Sequence, residues 1–249
     1  MARIRVYPAP TLRTITLASM IGGAIIDNGT AGNGTPTESG GYVTIPAAGS
    51  KTIASTANPD PDDAAVLWWA HQIVGPRGEV LTTDGTYSID VAMDVQAALS
   101  TGDNWTAFAM ISNEADPRSA TIKGLIASLE ATASVGNPRC RLHTISAGTV
   151  ANALNGTATA SIRGMRWACL RLSGAANNAL IPIRDVVALD STGARMSAGS
   201  AVPAATGNGN ANIGTGPLYL LGGIYRTLVT DTDAISPAVR WRYAVGPTS

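Results

Sequence analysis

The sequence predicts an all-β fold in which two antiparallel sheets stack face to face. Short apolar stretches, several of which alternate between apolar and polar residues, follow one another along the chain. Turn-forming residues separate these stretches, since the 249 residues include 27 glycines and 14 prolines. No long segment has a convincing helical period. With 45% hydrophobic residues, the chain can bury the core of one large domain.

The N-terminal part of the chain is predicted to be an extended arm. Residues 27–41 contain two Asn-Gly pairs and no large apolar side chain, so they cannot bury enough surface to join a core. The sequence NPDPDD at residues 58–63 then breaks both helix and strand. The arm is therefore placed at residues 1–60 and the sandwich at residues 61–249. The arm is expected to dock on a neighbouring subunit, so a chain that lacks residues 1–55 is expected to keep a folded sandwich that no longer assembles.

Strand signals recur through the rest of the chain. Residues 86–95 show the clearest alternation, because every second residue is apolar and the residues between them include Asp90 and Asp94. Residues 121–133 also fit helical spacing, but Gly124 and the strand-rich surroundings favour a strand. The other predicted strands lie in residues 64–75, 104–112, 139–146, 158–164, 166–190 (a pair), 217–230 and 238–245. In the last of these, Trp241 is expected on one face and Arg240 and Arg242 on the other.

The charge content points to an assembly and away from nucleic acid. The chain has 17 basic and 17 acidic residues, so its formal net charge is zero. Charged residues make up 14% of the chain, against about 25% in typical soluble domains. A surface with few charges suits a packed assembly better than a free monomer. The basic residues are scattered along the sequence, which predicts no basic stripe for a phosphate backbone.

The residue types needed for catalysis or metal binding do not form a recognisable motif. The only histidines are His71 and His143, and no serine lies in a G-x-S-x-G turn. His71 is expected in the core or on a strand face, and His143 is expected to be exposed. Glu130 lies in a predicted strand without an identifiable partner. The sequence therefore predicts no catalytic residue, no metal site, no cofactor and no enzymatic activity.

The N-terminus and the two cysteines bear on where the protein is made. Pro8 and Pro10 interrupt the first apolar stretch, which is too short for a membrane span and does not fit a signal peptide. The protein is therefore expected to be synthesised in the cytoplasm and to have no membrane anchor. Cys140 and Cys169 are interpreted as two buried free thiols, although a single bridge between them is left open.

A glycan site is the candidate for ligand binding. Two consecutive tryptophans in a strand point to opposite faces, so one is expected in the core. The other is expected to pack against a neighbouring subunit or, alternatively, to stack on a sugar. A loop rich in asparagine could add hydrogen bonds to the same ligand. The candidate residues are Trp68, Trp69, Asn208, Asn210 and Asn212.

Three segments carry a resemblance to a known fold. RWACLRLSG at 166–174 contains Trp167, PLYLLGGIYR at 217–226 contains a Leu-Gly-Gly strand, and TDTDAIS follows at 230–236. In this order they resemble the concanavalin A-like or laminin-G-like sandwich over at most residues 64–249. The resemblance implies a jelly-roll type of two-sheet β-sandwich.

A broader resemblance is to bacteriophage virion proteins of the tail, fibre or decoration type. Low charge and an Ala-, Gly-, Thr- and Asn-rich composition carry it. It implies a structural subunit of the virion, made in the host bacterial cytoplasm. Such a subunit is expected to form a trimer or higher homo-oligomer, to contact other virion proteins and to bind neither nucleic acid nor a membrane. A carbohydrate-binding module for a host-surface glycan is the alternative.

Overall fold

The architecture is taken from a computed structural model of the chain. It describes residues 12–19, 37–44, 67–75, 77–81, 87–100, 105–116, 119–131, 138–146, 149–155, 161–170, 183–189, 192, 217–226 and 238–247. These residues form strands, apart from short turns and one 3₁₀ turn at Leu17–Ser19. No helix in this part of the chain is long and apolar enough to span a membrane.

Thirteen strands are described, numbered here in chain order. The first six are β1 (Arg13–Thr14), β2 (Thr37–Ser39), β3 (Tyr42–Thr44), β4 (Leu67–Gln72), β5 (Tyr87–Ser100) and β6 (Trp105–Ser112). The next four are β7 (Lys123–Ala131), β8 (Arg139–Ser146), β9 (Thr149–Asn155) and β10 (Ser161–Leu170). The last three are β11 (Ile183–Leu189), β12 (Tyr219–Arg226) and β13 (Val239–Pro247).

The strands form two antiparallel sheets that stack as a sandwich. The seven-stranded sheet has the order β11-β10-β5-β13-β3-β2, and β1 also pairs with β13. The six-stranded sheet has the order β4-β12-β6-β7-β8-β9. The predicted all-β, two-sheet antiparallel sandwich is therefore confirmed, and residues 121–133 contain the strand β7 as predicted.

The core lies between the sheets and is filled by the apolar row of each central strand. In the seven-stranded sheet, Met93 of β5 is paired with Met165 of β10 on one side and with Trp241 of β13 on the other. Trp241 reaches across to the six-stranded sheet, where its ring meets Trp69 edge-on with centroids 5.1 Å apart. Its Nε1 donates a hydrogen bond to the Phe108 carbonyl oxygen at 2.9 Å. The two tryptophans therefore fix the spacing of the sheets.

The described part of the predicted arm is built into the sandwich. Strand β1 pairs with β13, and Val43 of β3 pairs with Val239 of β13. Ile15 and Val43 are only 1% and 2% exposed and belong to the core. The boundary at residue 60 therefore does not separate these segments from the sandwich. The separate arm was predicted from residues 27–41, which lack large apolar side chains, and from the break at residues 58–63. The remainder of residues 1–60 lies outside the described residues.

Candidate functional site

An open cleft lies on the outer face of the seven-stranded sheet, the face directed away from the six-stranded sheet. Its volume is about 350 Å³. Strands β5, β10 and β13 form the floor, since Ala92 of β5 is paired with Arg166 of β10 and with Arg242 of β13. We call it the arginine cleft, and it is lined by Leu12, Tyr42, Ala92, Asp94, Arg163, Arg166, Leu189, Thr192, Arg240 and Arg242.

Asp94 organises two of the arginines. One of its oxygens, Oδ2, accepts hydrogen bonds from Arg240 Nε at 3.3 Å and Nη2 at 3.1 Å, and from Arg242 Nη2 at 2.6 Å. The Arg240 guanidinium also lies over the ring of Tyr42, 4.5 Å from its centroid. These contacts hold both guanidinium groups in defined positions, since charge-assisted bonds and ring stacking are directional. Alternation along β13 predicted that Arg240 and Arg242 share a face opposite Trp241, and this is confirmed.

Strand β10 supplies the other two arginines. Arg166 is exposed, and its side chain has no partner among the residues that the structure describes. Arg163 lines the same cleft, although strict alternation from Arg166 would direct it into the core. A register shift between Ile162 and Gly164 resolves this, because a β-bulge changes the face to which a side chain points.

A glycine keeps the cleft floor open. Gly164 of β10 lies opposite Asp94. A Cβ atom at this position would be 2.6 Å from the Met93 carbonyl oxygen and 3.3 Å from the Leu189 side chain. A side chain here would therefore push against the backbone of β5, so glycine allows β10 and β5 to pair closely beneath the cleft.

A second group of polar residues is buried on the outer face of the six-stranded sheet. Glu130 of β7 is 2% exposed and contacts Arg141 Nη1 at 3.2 Å and Arg139 Nε at 3.3 Å. Ser128 donates a hydrogen bond to Glu130 Oε1 at 3.1 Å. His143 is 1% exposed, and its Nε2 lies 3.9 Å from Glu130 Oε1, which is too long for a hydrogen bond. The expectation that His143 is exposed and that Glu130 has no partner is therefore wrong.

Burial and charge shift the pKa values within this Glu130 cluster. Burial raises the pKa of Glu130, but the positive charges of Arg141 and Arg139 outweigh this effect and leave the pKa below its ordinary value. Burial lowers the pKa of His143 more than the Glu130 carboxylate raises it, so the imidazole is held neutral at pH 7. The cluster is thus a buried ion-pair network on the paired strands β7 and β8.

The residues chosen from sequence as glycan contacts do not meet in the arginine cleft. Trp69 is 3% exposed and packs on Trp241, so it is the core member of the tryptophan pair and cannot stack on a sugar. Trp68 lies in β4, but its side chain is outside the described residues, as are Asn208, Asn210 and Asn212. The arginines were missed because they are far apart in sequence, and no local spacing connects residues 163–166 with 240–242.

The remaining chemistry-bearing residues are engaged in structural contacts. His71 lies at the edge of the core, where Nδ1 is 2.9 Å from the Ser19 carbonyl oxygen and Nε2 is 3.1 Å from the Tyr243 hydroxyl. Cys140 is buried and free, so it is not bridged to Cys169, and burial raises the pKa of its thiol. Among the described residues, no three His, Cys, Asp or Glu side chains are grouped so that they could hold a metal ion.

Known proteins match the chain only through their structures. No protein-family model and no curated protein matches it. A prokaryotic β-1,3-1,4-glucanase (lichenase) derived from a mouse hindgut metagenome is similar at 10% identity and a TM-score of 0.43, with 86% of this chain and 83% of that chain covered. A Bacillus licheniformis β-glucanase is similar at 10% identity and a TM-score of 0.42, covering 98% and 95%. The CBM2 module of the Lactobacillus casei BL23 phage J-1 evolved Dit has 7% identity and a TM-score of 0.39, covering 87% and 81%.

These similarities match the fold and correct one expectation about activity. The matched proteins are concanavalin A-like or jelly-roll sandwiches, as the sequence resemblance implied. They include enzymes, namely the two glucanases and two alginate lyases. The sequence predicted no enzymatic activity because it lacks a recognisable catalytic motif. That prediction is wrong, since the matched proteins of this fold include enzymes.

Proposed function

We propose that this β-sandwich binds a glycan in the arginine cleft. The observation that carries the proposal is an open cleft of about 350 Å³ whose polar groups are fixed on paired strands. Ligand sites are concave, are largely pre-formed, and combine apolar surface with a few oriented polar groups. The cleft has these properties on the outer face of the seven-stranded sheet.

The residue types in the cleft suit a sugar. Guanidinium groups donate several hydrogen bonds each and a carboxylate accepts several, which matches the many hydroxyl groups of a glycan. Tyr42 contributes an aromatic edge, while Leu12 and Leu189 contribute aliphatic surface for the C–H faces of a sugar ring. The strands hold these groups rigidly, so little conformational entropy is lost on binding.

Replacement of an exposed cleft arginine is the first test. Arg166→Ala is expected to weaken glycan binding by about 1.5–3 kcal/mol, the typical value of a charge-assisted hydrogen bond. It is expected to change the free energy of unfolding by less than about 0.5 kcal/mol, because the side chain is exposed. Isothermal titration calorimetry on ligands found with a glycan array measures the first effect, and urea unfolding measures the second.

Arg77→Ala is the matched control, since Arg77 is an exposed arginine in a turn outside the cleft. It is expected to bind like the wild type. Equal weakening by both variants would contradict the cleft as the binding site. Product analysis of each bound glycan by mass spectrometry shows in the same experiment whether the chain also cleaves it.

A structural subunit of a phage particle or a similar assembly is the second candidate function. Two observations favour it: the low content of charged residues, and the exposed strand β2, which is the outermost strand of its sheet in the described part of the chain. An edge strand presents unpaired backbone groups that a neighbouring chain can extend. Light scattering after size-exclusion chromatography is expected to show a trimer or a larger closed oligomer. A monomer at about 50 μM, far above the Kd of a stable assembly, would contradict this role.

A further inference from the structure

We infer that the ligand of the arginine cleft is an acidic glycan, in which carboxylate groups of uronate sugars bind the arginines. This inference rests on the proposed glycan-binding function and names the chemical class of its ligand. Arg166, Arg240 and Arg242 line the cleft together with one carboxylate, that of Asp94, so positive groups outnumber negative ones in this part of the lining. A neutral glycan would offer these guanidinium groups no anionic partner.

The shared carboxylate of Asp94 is the central observation. Arg240 and Arg242 both donate to the same oxygen, Oδ2, so a single negative charge balances two positive ones. Each guanidinium has five N–H donors, and most of them are not used by Asp94. The pair is thus held in place by Asp94 and keeps further N–H donors that a second carboxylate can engage.

Partial burial makes this charge effective. The side chains of Arg240 and Arg242 are each 27% exposed, and that of Asp94 is 12% exposed. Charges in such positions are screened by salt less than fully exposed charges are. The fork of a guanidinium also matches the two oxygens of a carboxylate, so a uronate can bind by two parallel hydrogen bonds.

Arg166 of β10 adds a positive charge on the other side of β5. It is on the outer face, because its Cα partner is Ala92, and Ala92 in turn is paired with Arg242. Arginines from β10 and β13 therefore flank the small Ala92 side chain on a common face. A polymer with a carboxylate on each sugar can contact both sides at once, whereas a single small anion can occupy only one.

The shape of the site favours a polysaccharide over a nucleic acid. A polynucleotide requires an extended series of phosphate contacts, while the described arginines of this face form one compact group. Leu12 and Leu189 border the group with aliphatic surface, which a sugar ring can cover. Tyr42 already stacks on Arg240, so its ring face is engaged and is not a free platform for a base.

Matched polymers test the inference. Polygalacturonate, alginate and hyaluronate are compared with their carboxyl-reduced forms, which keep the sugar backbone and lose the charge. At low salt the full chain is expected to bind at least one acidic polymer about tenfold or more tightly than its reduced form, since one charge-assisted contact has that value. Arg166→Ala and Arg242→Ala are expected to remove the preference, and Arg77→Ala to keep it. Arg242→Lys, which retains the charge but not the fork, is expected to recover only part of it.

Each outcome separates the two proposals. Equal binding of the acidic and reduced polymers, lost in Arg166→Ala, would overturn the acidic ligand and leave glycan binding in place. Binding of neither set, together with an empty glycan array, would overturn both. An oligothymidylate of equal charge is included, and tighter binding of this DNA than of every acidic polymer would also overturn the inference. Acid preference that persists in both Arg→Ala variants would place the site elsewhere and refute the arginine cleft.

Discussion

A chain that starts at residue 45 is expected to lose most of its stability instead of leaving an intact sandwich. The deletion removes β1, β2 and β3, and with them two fully buried side chains, Ile15 and Val43. Burial of an Ile or Val side chain contributes about 1.5–3 kcal/mol, so the loss is about 3–6 kcal/mol from these two residues alone. It also removes the hydrogen bond from Ile15 N to the Trp241 carbonyl oxygen. Since typical domains are stable by only about 5–15 kcal/mol, thermal unfolding should show a large decrease in Tm.

A shorter deletion is the control for this experiment. A chain that starts at residue 12 keeps all three strands, so its Tm separates the loss of β1–β3 from the loss of the residues before them. Ile15→Ala in the full-length chain tests the same contact without a deletion, and a cost of about 2–5 kcal/mol is expected. If the chain that starts at residue 45 melted like the full-length chain, β1–β3 would be dispensable and the separate arm would stand.

Glu130→Gln is expected to cost about 3–5 kcal/mol of unfolding free energy at pH 7, the range for breaking a buried ion pair from one side. The substitution nearly preserves shape but removes the negative charge that both Arg139 and Arg141 contact. The Arg141 side chain is only 8% exposed, so water cannot replace the lost carboxylate. Urea unfolding of both proteins measures the difference. Glu38→Gln is the matched control because Glu38 is exposed, and a cost below about 1 kcal/mol is expected for it.

The pH dependence of that difference identifies charge as its cause. The pKa of Glu130 is lower in the folded chain than its ordinary value of about 4.3. Such a group stabilises the fold above its unfolded pKa, and this contribution is lost as pH falls through the folded pKa. The gap between wild type and Glu130→Gln is therefore expected to be full at pH 7 and to shrink below about pH 4. A gap that stays constant to pH 3 would show that packing, not charge, is responsible.

Local alternation in the sequence was sufficient to assign side chains to faces. In β5, Val91, Met93 and Val95 were predicted on one face and Asp94 on the other, and the structure has them so. In β13, Trp241 was predicted on the face opposite Arg240 and Arg242, and the structure has it there. This works because successive side chains of a strand point to opposite faces, so the pattern depends only on neighbouring residues.

Alternation could not predict which outward-facing residues are buried. Glu130 and His143 alternate with apolar residues and were interpreted as partnerless or exposed, yet both are almost completely buried. Every position of β6 is buried, and so is every position of β7 except Lys123. The sequence pattern identifies a face but not whether that face meets solvent, which depends on the rest of the fold.

The amino-acid sequence by itself determined the class of the fold, the position of most strands and the two faces of each central strand. The tertiary structure decided which strands are neighbours. Because β5 lies between β10 and β13, arginines from residues 163–166 and 240–242 meet around Asp94. A bulge at one position then moved Arg163 to the cleft. Strand order and bulges depend on contacts between residues far apart in sequence, which a local periodicity of two does not encode.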